Sequence, residues 1–339
     1  MTKVATIDKR KVLGLVMVAA MVIATLLAAI IPGVALADTE DTMSGQFALG
    51  NANPDVPAVG IYQHADNSTA VTSMNPNSEY IIKVSVSDAN TLDDINTCNV
   101  TLFYDVDGDG LPATVPSDNY THAVTLHWVV GEAAPTITSG SSAWWAVGAG
   151  SEAPSLTASS GDFCFHVMIG KCAIEALDWD AYAVVADDSA LSDWYYDNSG
   201  YDVNWYGEIS TSDAVNWAAV AANSDFAANK QTGKSVTYTA NGDYDEQVAA
   251  TLTWGTATLN AAGSPGANQF SIRVNDEDSQ TGWQLLNDFT VSYATIDSTG
   301  IITDEDGDTV GTNTLWLKLG TPFVDNTYTG TIYFKIANG

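Results

Sequence analysis

Positive charge is what this sequence has least of. Eleven Lys and Arg stand against forty-one Asp and Glu in 339 residues, a formal net charge of −30. So one-sided a surface repels phosphate backbones and anionic headgroups, which excludes nucleic acid and anionic lipid as partners. Cysteine is limited to Cys98, Cys164 and Cys172, an odd count that leaves a thiol outside any internal pairing. Histidine is limited to four residues. His122 and His127 are five apart, an odd spacing that sets them on opposite faces of one continuous strand and makes them poor co-ligands. His64 and His166 stand alone in the sequence and read as packed or surface residues. No G-x-S-x-G, H-E-x-x-H, Walker or dinucleotide fingerprint occurs, nor any close internal repeat, low-complexity tract or second long apolar segment. The chain therefore reads as non-enzymatic. A glycosidase needs only two carboxylates, so a polysaccharide hydrolase remains a remote alternative in which no pair stands out.

One apolar run does occur. Lys3, Lys9, Arg10 and Lys11 precede the stretch from Val12 to Ile31, and Ala35-Leu36-Ala37 offers a small-x-small cleavage pattern before Asp38. Residues 1–37 thus read as a signal peptide. The run also approaches the roughly 20 apolar residues that span a bilayer, so an uncleaved anchor is the alternative, and the membrane would be touched only through it. Both readings put the remainder outside the cell. A pilin is disfavoured, because no basic-Gly or basic-Ala processing site directly precedes the run. Without residues 1–37, seven basic residues face forty acidic ones, and cations become the natural counter-charges. Asp outnumbers Glu by 32 to 9, which suits turn-rich β structure, since Asp closes Asx-turns and caps while forming strands and helices poorly. A salt-adapted surface would use Glu as freely. The tripeptides at Asn67, Asn99 and Asn119 match the glycosylation pattern and fit export.

Residues 38–57 are polar and read as an arm or linker. From Ala58 onward, short runs rich in Val, Ile, Thr and aromatics alternate with Gly, Asn, Asp and Pro. In "IIKVSVSD", Ile82, Val84 and Val86 alternate with Ile81, Lys83 and Ser85, the period of a half-buried strand. "CNVTLFYD", "HAVTLHWVV", "DFCFHVMI" and "DAYAVVADD" continue the series, and "SDWYYDNSGYDVNWYGE" reads as a boundary. A second series follows: "KSVTYTA", "EQVAATLTW", "NQFSIRVND", "DFTVSYATI", "NTLWLKLG" and "TYTGTIYFKIA". "VNWAAVAANSDFAAN" reads as strand then loop. The expected fold class is all-β, with antiparallel sandwiches over 58–196 and 197–339.

"EYIIKVSVSDANTLDDINTCNVTLFYD" with "DWDAYAVVADDSALSDW" resembles Ig-like sandwich modules of archaeal and bacterial surface proteins. "VNWYGEISTSDAVNWAAVAANSDF", "KSVTYTANGDYDEQVAATLTW" and "TYTGTIYFKIANG" resemble a second such module of exported envelope proteins. The resemblance covers most of the chain from Ala58. It implies two Ig-like antiparallel domains with a scaffold or adhesive role at the cell surface, and it transfers no active-site residues.

The acidic loops carry the main chemical signal. In "DVDGDGL", Asp105, Asp107 and Asp109 take the first, third and fifth places of a calcium loop, Gly110 the sharp turn, and Leu111 offers its carbonyl. A hard cation needs several oxygens at about 2.4 Å, and clustered carboxylates repel unless one sits between them. Pro116 stands where an EF-hand carries Glu, so a further ligand must come from elsewhere, with Asp118 a candidate. An acidic hairpin turn with Gly108 and Gly110 at positive φ is the plain alternative. Asp304, Asp306 and Asp308 repeat the spacing without the second Gly. Either loop would use calcium structurally. Trp144, Trp145 and Trp205 are candidates for stacking on sugar rings, against the alternative of core packing. Cys98 with Cys164 is the first disulfide pairing to consider, and Cys164 with Cys172 competes. The expected partners are envelope proteins or further copies of the chain, with glycans as the alternative, and the polar arm is a candidate for adding a strand to a neighbour.

Overall fold

Apolar and polar side chains alternate along most of the long strands, and this period of two sets which residues meet in the core. The computed structural model describes residues 46–47, 50–105, 121–140, 144–297 and 309–339. The expected leader, residues 1–37, lies outside them. Among the described residues no helix is long and apolar enough to cross a membrane, and helical geometry is confined to short 3₁₀ turns such as Leu92–Asp94 and Phe226–Ala228.

The unit Asn51–Gly339 is all-β. Its first part holds β1 (Asp55–Gln63), β2 (Ser73–Met74), β3 (Glu79–Ser87), β4 (Ile95–Tyr104) and β5 (Ala123–Val129). These are followed by β6 (Thr136–Ser139), β7 (Ala146–Val147), β8 (Ser160–Met168), β9 (Ala176–Asp187) and β10 (Ser192–Val203). One sheet runs β1-β3-β8-β7 and a second runs β2-β10-β9-β4-β5-β6. Both give their inner rows to one cluster: Ile82, Val84 and Val86 of β3 and Phe163, Phe165 and Val167 of β8 from one side, Cys98, Val100 and Leu102 of β4 and Ala181, Ala183 and Val185 of β9 from the other. Trp128 of β5 bridges them, its ring edge-on to Phe163 and Phe165 at 5.7 and 5.5 Å. Each fully buried side chain of this size contributes about 1.5–3 kcal/mol of transfer free energy.

The later part holds β11 (Gly207–Ser212), β12 (Lys230–Ala240), β13 (Tyr244–Ala250), β14 (Thr253–Trp254) and β15 (Ala257–Leu259). Then come β16 (Gln269–Asn275), β17 (Gln284–Leu285), β18 (Ala294–Asp297), β19 (Thr309–Leu319) and β20 (Ile332–Asn338). They build a sheet ordered β11-β12-β19-β16-β15-β14, with β17 beside β16, and a smaller sheet β18-β13-β20. Phe270, Ile272, Leu315 and Leu317 from the larger sheet pack with Val248 and Ala250 from the smaller. Among the described strands, pairing is antiparallel except for β2 with β10 and β15 with β16, which are parallel.

Several boundaries differ from the sequence reading. β1 begins at Asp55, inside the stretch read as linker, and that stretch is tied down from Asn51: Asn51 Nδ2 donates to Asp187 Oδ2 at 2.7 Å and the Val56 N–H to Asp193 Oδ2 at 2.9 Å. The division after Tyr196 falls inside β10, whose composition looks loop-like because it contains a bulge between Asp197 and Tyr201. There Gly200 takes φ +67 and the Asp197 carboxylate accepts from the Ser199 N–H and the Tyr201 hydroxyl. The chain passes from the first pair of sheets to the second at Asn204–Tyr206. "DFTVSYATI" yields only β18, because Phe289–Thr290 closes a turn on Asp288. "VNWAAVAANSDFAAN" forms no strand and ends in the 3₁₀ turn at Phe226.

One buried amide fastens the two parts together. Asn241, at the β12–β13 turn and with no exposed surface, donates from Nδ2 to the carbonyls of Ala173 and Asn204 at 2.8 and 2.9 Å. Its Oδ1 accepts from the Tyr206 N–H at 2.6 Å. Beside it Lys171 pairs with Glu208 at 2.6 Å.

Candidate metal-binding sites

The register of β1, β3 and β8 brings together three residues that the sequence keeps far apart. Gln63 lies opposite Tyr80, so the next step of the antiparallel ladder sets His64 beside Glu79. His166 lies opposite Ile81, diagonal to Glu79 on the adjacent strand. Tyr80 and Ile82 of β3 and Phe165 and Val167 of β8 point into the core, so Glu79 and His166 take the outer face. His166 Nδ1 lies 3.0 Å and His64 Nδ1 3.5 Å from the same oxygen, Glu79 Oε1. The rings of the two histidines meet edge-on with centroids 5.1 Å apart. The connection after β7 closes one side: the Gly148 N–H donates to the His166 carbonyl at 2.8 Å, and the His166 N–H to Ser151 Oγ at 2.9 Å. The reading of His64 and His166 as isolated residues is thus corrected. A local signal existed for one pair only, a His just past one strand and a Glu opening a later one. His166 is 87 residues from Glu79, and only the β3–β8 pairing reveals it. His122 and His127 do not join this site. His122 Nδ1 bonds Thr121 Oγ1 at 2.7 Å, and His127 Nδ1 bonds the side chain of Asn99.

A second group lies at the ends of β3, β4 and β9. Asp88 and Asp187 are 4% and 2% exposed, and Asp94 is partly buried. Asp187 is satisfied by Asn51, the Ser189 N–H and the Leu191 N–H. Asp88 Oδ2 and Asp94 Oδ1 are buried with no hydrogen-bond partner among the described residues. Burial raises the Asp94 pKa, and the charges of Asp88 and Asp187 push it further the same way.

Of the first acidic loop, Asp105 alone is described. It is 9% exposed, and its Oδ2 lies 3.3 Å from the Tyr196 hydroxyl, which lies 2.6 Å from Asp180 Oδ2. One phenolic proton serves two carboxylates. Burial first, then the charges of Asp105 and Asp197, raise the Asp180 pKa against the lowering effect of its own hydrogen bonds. Asp107, Asp109, Leu111, Asp118, Asp304, Asp306 and Asp308 lie outside the described residues.

The aromatic candidates are packed. Trp145 is fully buried in the first core against Trp179, ring centroids 6.1 Å apart, and Trp144 packs on the same cluster. Trp205 is half-buried against Val236, Tyr238 and Ile336, with its indole N–H donated to the Asp243 carbonyl at 2.9 Å. A different aromatic surface forms instead, a groove of about 400 Å³ lined by Trp217, Trp254, Phe323, Tyr328, Asp325 and Asn326. The indole N–H groups of Trp217 and Trp254 have no partner among the described residues.

No disulfide joins the three cysteines. Cys98 points into the core with Val100 and Leu102, whereas Cys164, between the inward Phe163 and Phe165, faces the other side of its own sheet. The period-two alternation therefore rules out the first pairing. Cys172 is buried in the loop after β8.

No family model matches the chain, and no curated protein matches it. Among solved structures, a DUF4466 family protein from Parabacteroides merdae ATCC 43184 is similar at 9% identity, with 80% of this chain and 100% of that chain covered and a TM-score of 0.25. So loose an overlap carries no argument about fold or function.

Proposed function

We propose that the protein is an exported, calcium-stabilised structural or adhesive component of the cell surface, built from two Ig-like sandwich modules and without enzymatic activity. The observation that carries this reading is the pair of unpartnered carboxylate oxygens on Asp88 and Asp94 beside buried Asp187. Burying unpaired negative charge is costly, and a group so placed is stabilised by a proton or by a cation. Calcium, which prefers several carboxylate and carbonyl oxygens, suits the unpartnered oxygens of Asp88 and Asp94 and the loop beginning at Asp105. The export-type N-terminus and the forty-to-seven excess of acids beyond residue 37 support a place outside the cell, where calcium is plentiful. The Asn241 seam, which fixes one set of sheets to the other, suits a protein whose task is to hold position. Envelope proteins or further copies of the chain are the partners.

The test is thermal melting and sedimentation of the full chain with calcium and with chelator. Calcium is expected to raise the melting temperature, an effect that Asp88→Asn and Asp94→Asn each reduce, and to favour assembly. Identical melting and identical size in both buffers refute the proposal. If acid alone, and not calcium, stabilises the protein, a proton occupies the site instead.

A second reading, glycan binding, is favoured by the Trp217–Trp254 groove, where Trp217, Trp254, Phe323 and Tyr328 line the cavity together with Asp325 and Asn326. It predicts saturable retardation of the protein in polysaccharide gels, lost in Trp254→Ala.

A further inference from the structure

We infer that His64, Glu79 and His166 hold a divalent first-row transition metal ion, with zinc the species their geometry suits, on the outer face of the β1-β3-β8-β7 sheet. One ligand atom from each residue lies within 4.8 Å of the other two. Two ligands bound to one tetrahedral zinc at about 2.0–2.1 Å stand about 3.3 Å from each other. The two Nδ1–Oε1 separations, 3.0 and 3.5 Å, bracket that value. Hydrogen bonding alone explains the site less well. A bond to Glu79 accounts for His166 at 3.0 Å, but His64 at 3.5 Å is beyond the usual N–H···O range. A half-exposed imidazole that could bond water gains little by turning toward a carboxylate oxygen already engaged. A shared cation gives both rings the same reason to converge there.

The donor set selects the class of ion. Two imidazoles and one carboxylate suit zinc, copper, nickel or iron, whereas calcium and magnesium require a shell of oxygens. This site is therefore chemically separate from the acidic loops.

The surroundings are shaped to it. A Cβ at Gly148 would come 2.1 Å from Glu79 Oε1, and one at Gly150 would come 2.6 Å from Cε1 of the His166 ring. Neither glycine has a positive φ, so each is needed for space rather than for backbone conformation. The Gly148–Ser151 connection thus passes directly over two of the three ligands while Ser151 and Gly148 hydrogen-bond to the His166 backbone. On the other side the site is open: the His64 side chain is 50% exposed, against 12% for His166. Three protein ligands with one open side leave a fourth position for water or for a donor atom from outside the chain.

Calorimetric titration of zinc chloride into the full chain tests this, after metal removal by chelator and in calcium sufficient to fill oxygen-rich sites. One zinc per chain is expected. His64→Ala and Glu79→Gln each weaken it at least about tenfold, the lower end of what even outer-shell changes cost a metal site, and His166→Ala abolishes it. Because His64 is half exposed, its alanine variant is expected to fold, which circular dichroism checks. Cobalt(II) bound in place of zinc is expected to give the strong visible absorption of a four-coordinate ion, lost in His64→Ala. The inference is overturned if no zinc binds. It is equally overturned if zinc binds all three variants as it binds the native chain, which marks adventitious attachment to surface carboxylates.

Discussion

Replacing Asn241 by alanine removes a side chain that serves three backbone groups at once. The backbone bonds of residue 241, from its N–H to the Tyr206 carbonyl and from the Glu175 N–H to its own carbonyl, survive the change. The carbonyls of Ala173 and Asn204 and the N–H of Tyr206 lose their partner. An orphaned buried group costs about 1–3 kcal/mol. Only the bond to Ala173 is fully buried, the other two being partly so, and water entering the gap recovers part of the loss. The expected destabilisation is therefore about 2–5 kcal/mol, a large share of the roughly 5–15 kcal/mol that holds a typical domain folded. Guanidinium denaturation of the full chain, followed by tryptophan fluorescence and far-ultraviolet dichroism, measures it. Asn241→Asp sharpens the test. It keeps the acceptor for Tyr206 but sets a carboxylate oxygen against two carbonyl oxygens, so it should be at least as damaging as alanine. A loss below about 1 kcal/mol for Asn241→Ala, the net worth of a single ordinary hydrogen bond, would refute the view that this amide fastens the sheets together.

Other perturbations test other parts of the structure. Glu246 is 3% exposed and accepts from Asn313 Nδ2 at 2.9 Å, while Asn313 Oδ1 is buried and unpartnered. Burial raises its pKa above 4.5, so the folded state holds the proton more tightly than the unfolded one. Its favourable contribution is complete below the unfolded value and is lost as pH rises through the folded one. Glu246→Gln, whose amide can donate to Asn313 Oδ1, should raise the melting temperature at neutral pH and lose that advantage in acid; equal melting at every pH refutes the assignment. All three cysteines are buried, and burial raises the pKa of Cys98 and Cys164. A thiol reagent should find almost no reactive group in the native chain and three after denaturation without reductant; a count of one would reveal a disulfide. Trp145→Ala empties a fully buried site beside Trp179 and should cost about 3–5 kcal/mol while leaving any glycan retardation of the folded protein unchanged.

The sequence alone determined that the chain is built of strands, because a period of two between turn residues has no other stable use: Ile82, Val84 and Val86 lie in the core as their alternation requires. It also determined the acidity of the chain. It misled where composition and structure part company. β10 is rich in Asp, Asn and Gly yet forms a strand, because a bulge absorbs the residues that a regular ladder rejects. Trp145 is as apolar in a core as it is on a sugar, and its neighbours in sequence say nothing of which. What the tertiary structure decided is everything that depends on pairing between distant strands. Cys98 and Cys164 occupy similar strands but opposite sides of their sheets, so no disulfide forms. His64, Glu79 and His166 occupy dissimilar places in the sequence but neighbouring places on one face. A strand's own sequence specifies which side chains share a face, whereas its partner and register are set by packing across the whole unit, and sites assembled across strands exist only once that packing is complete.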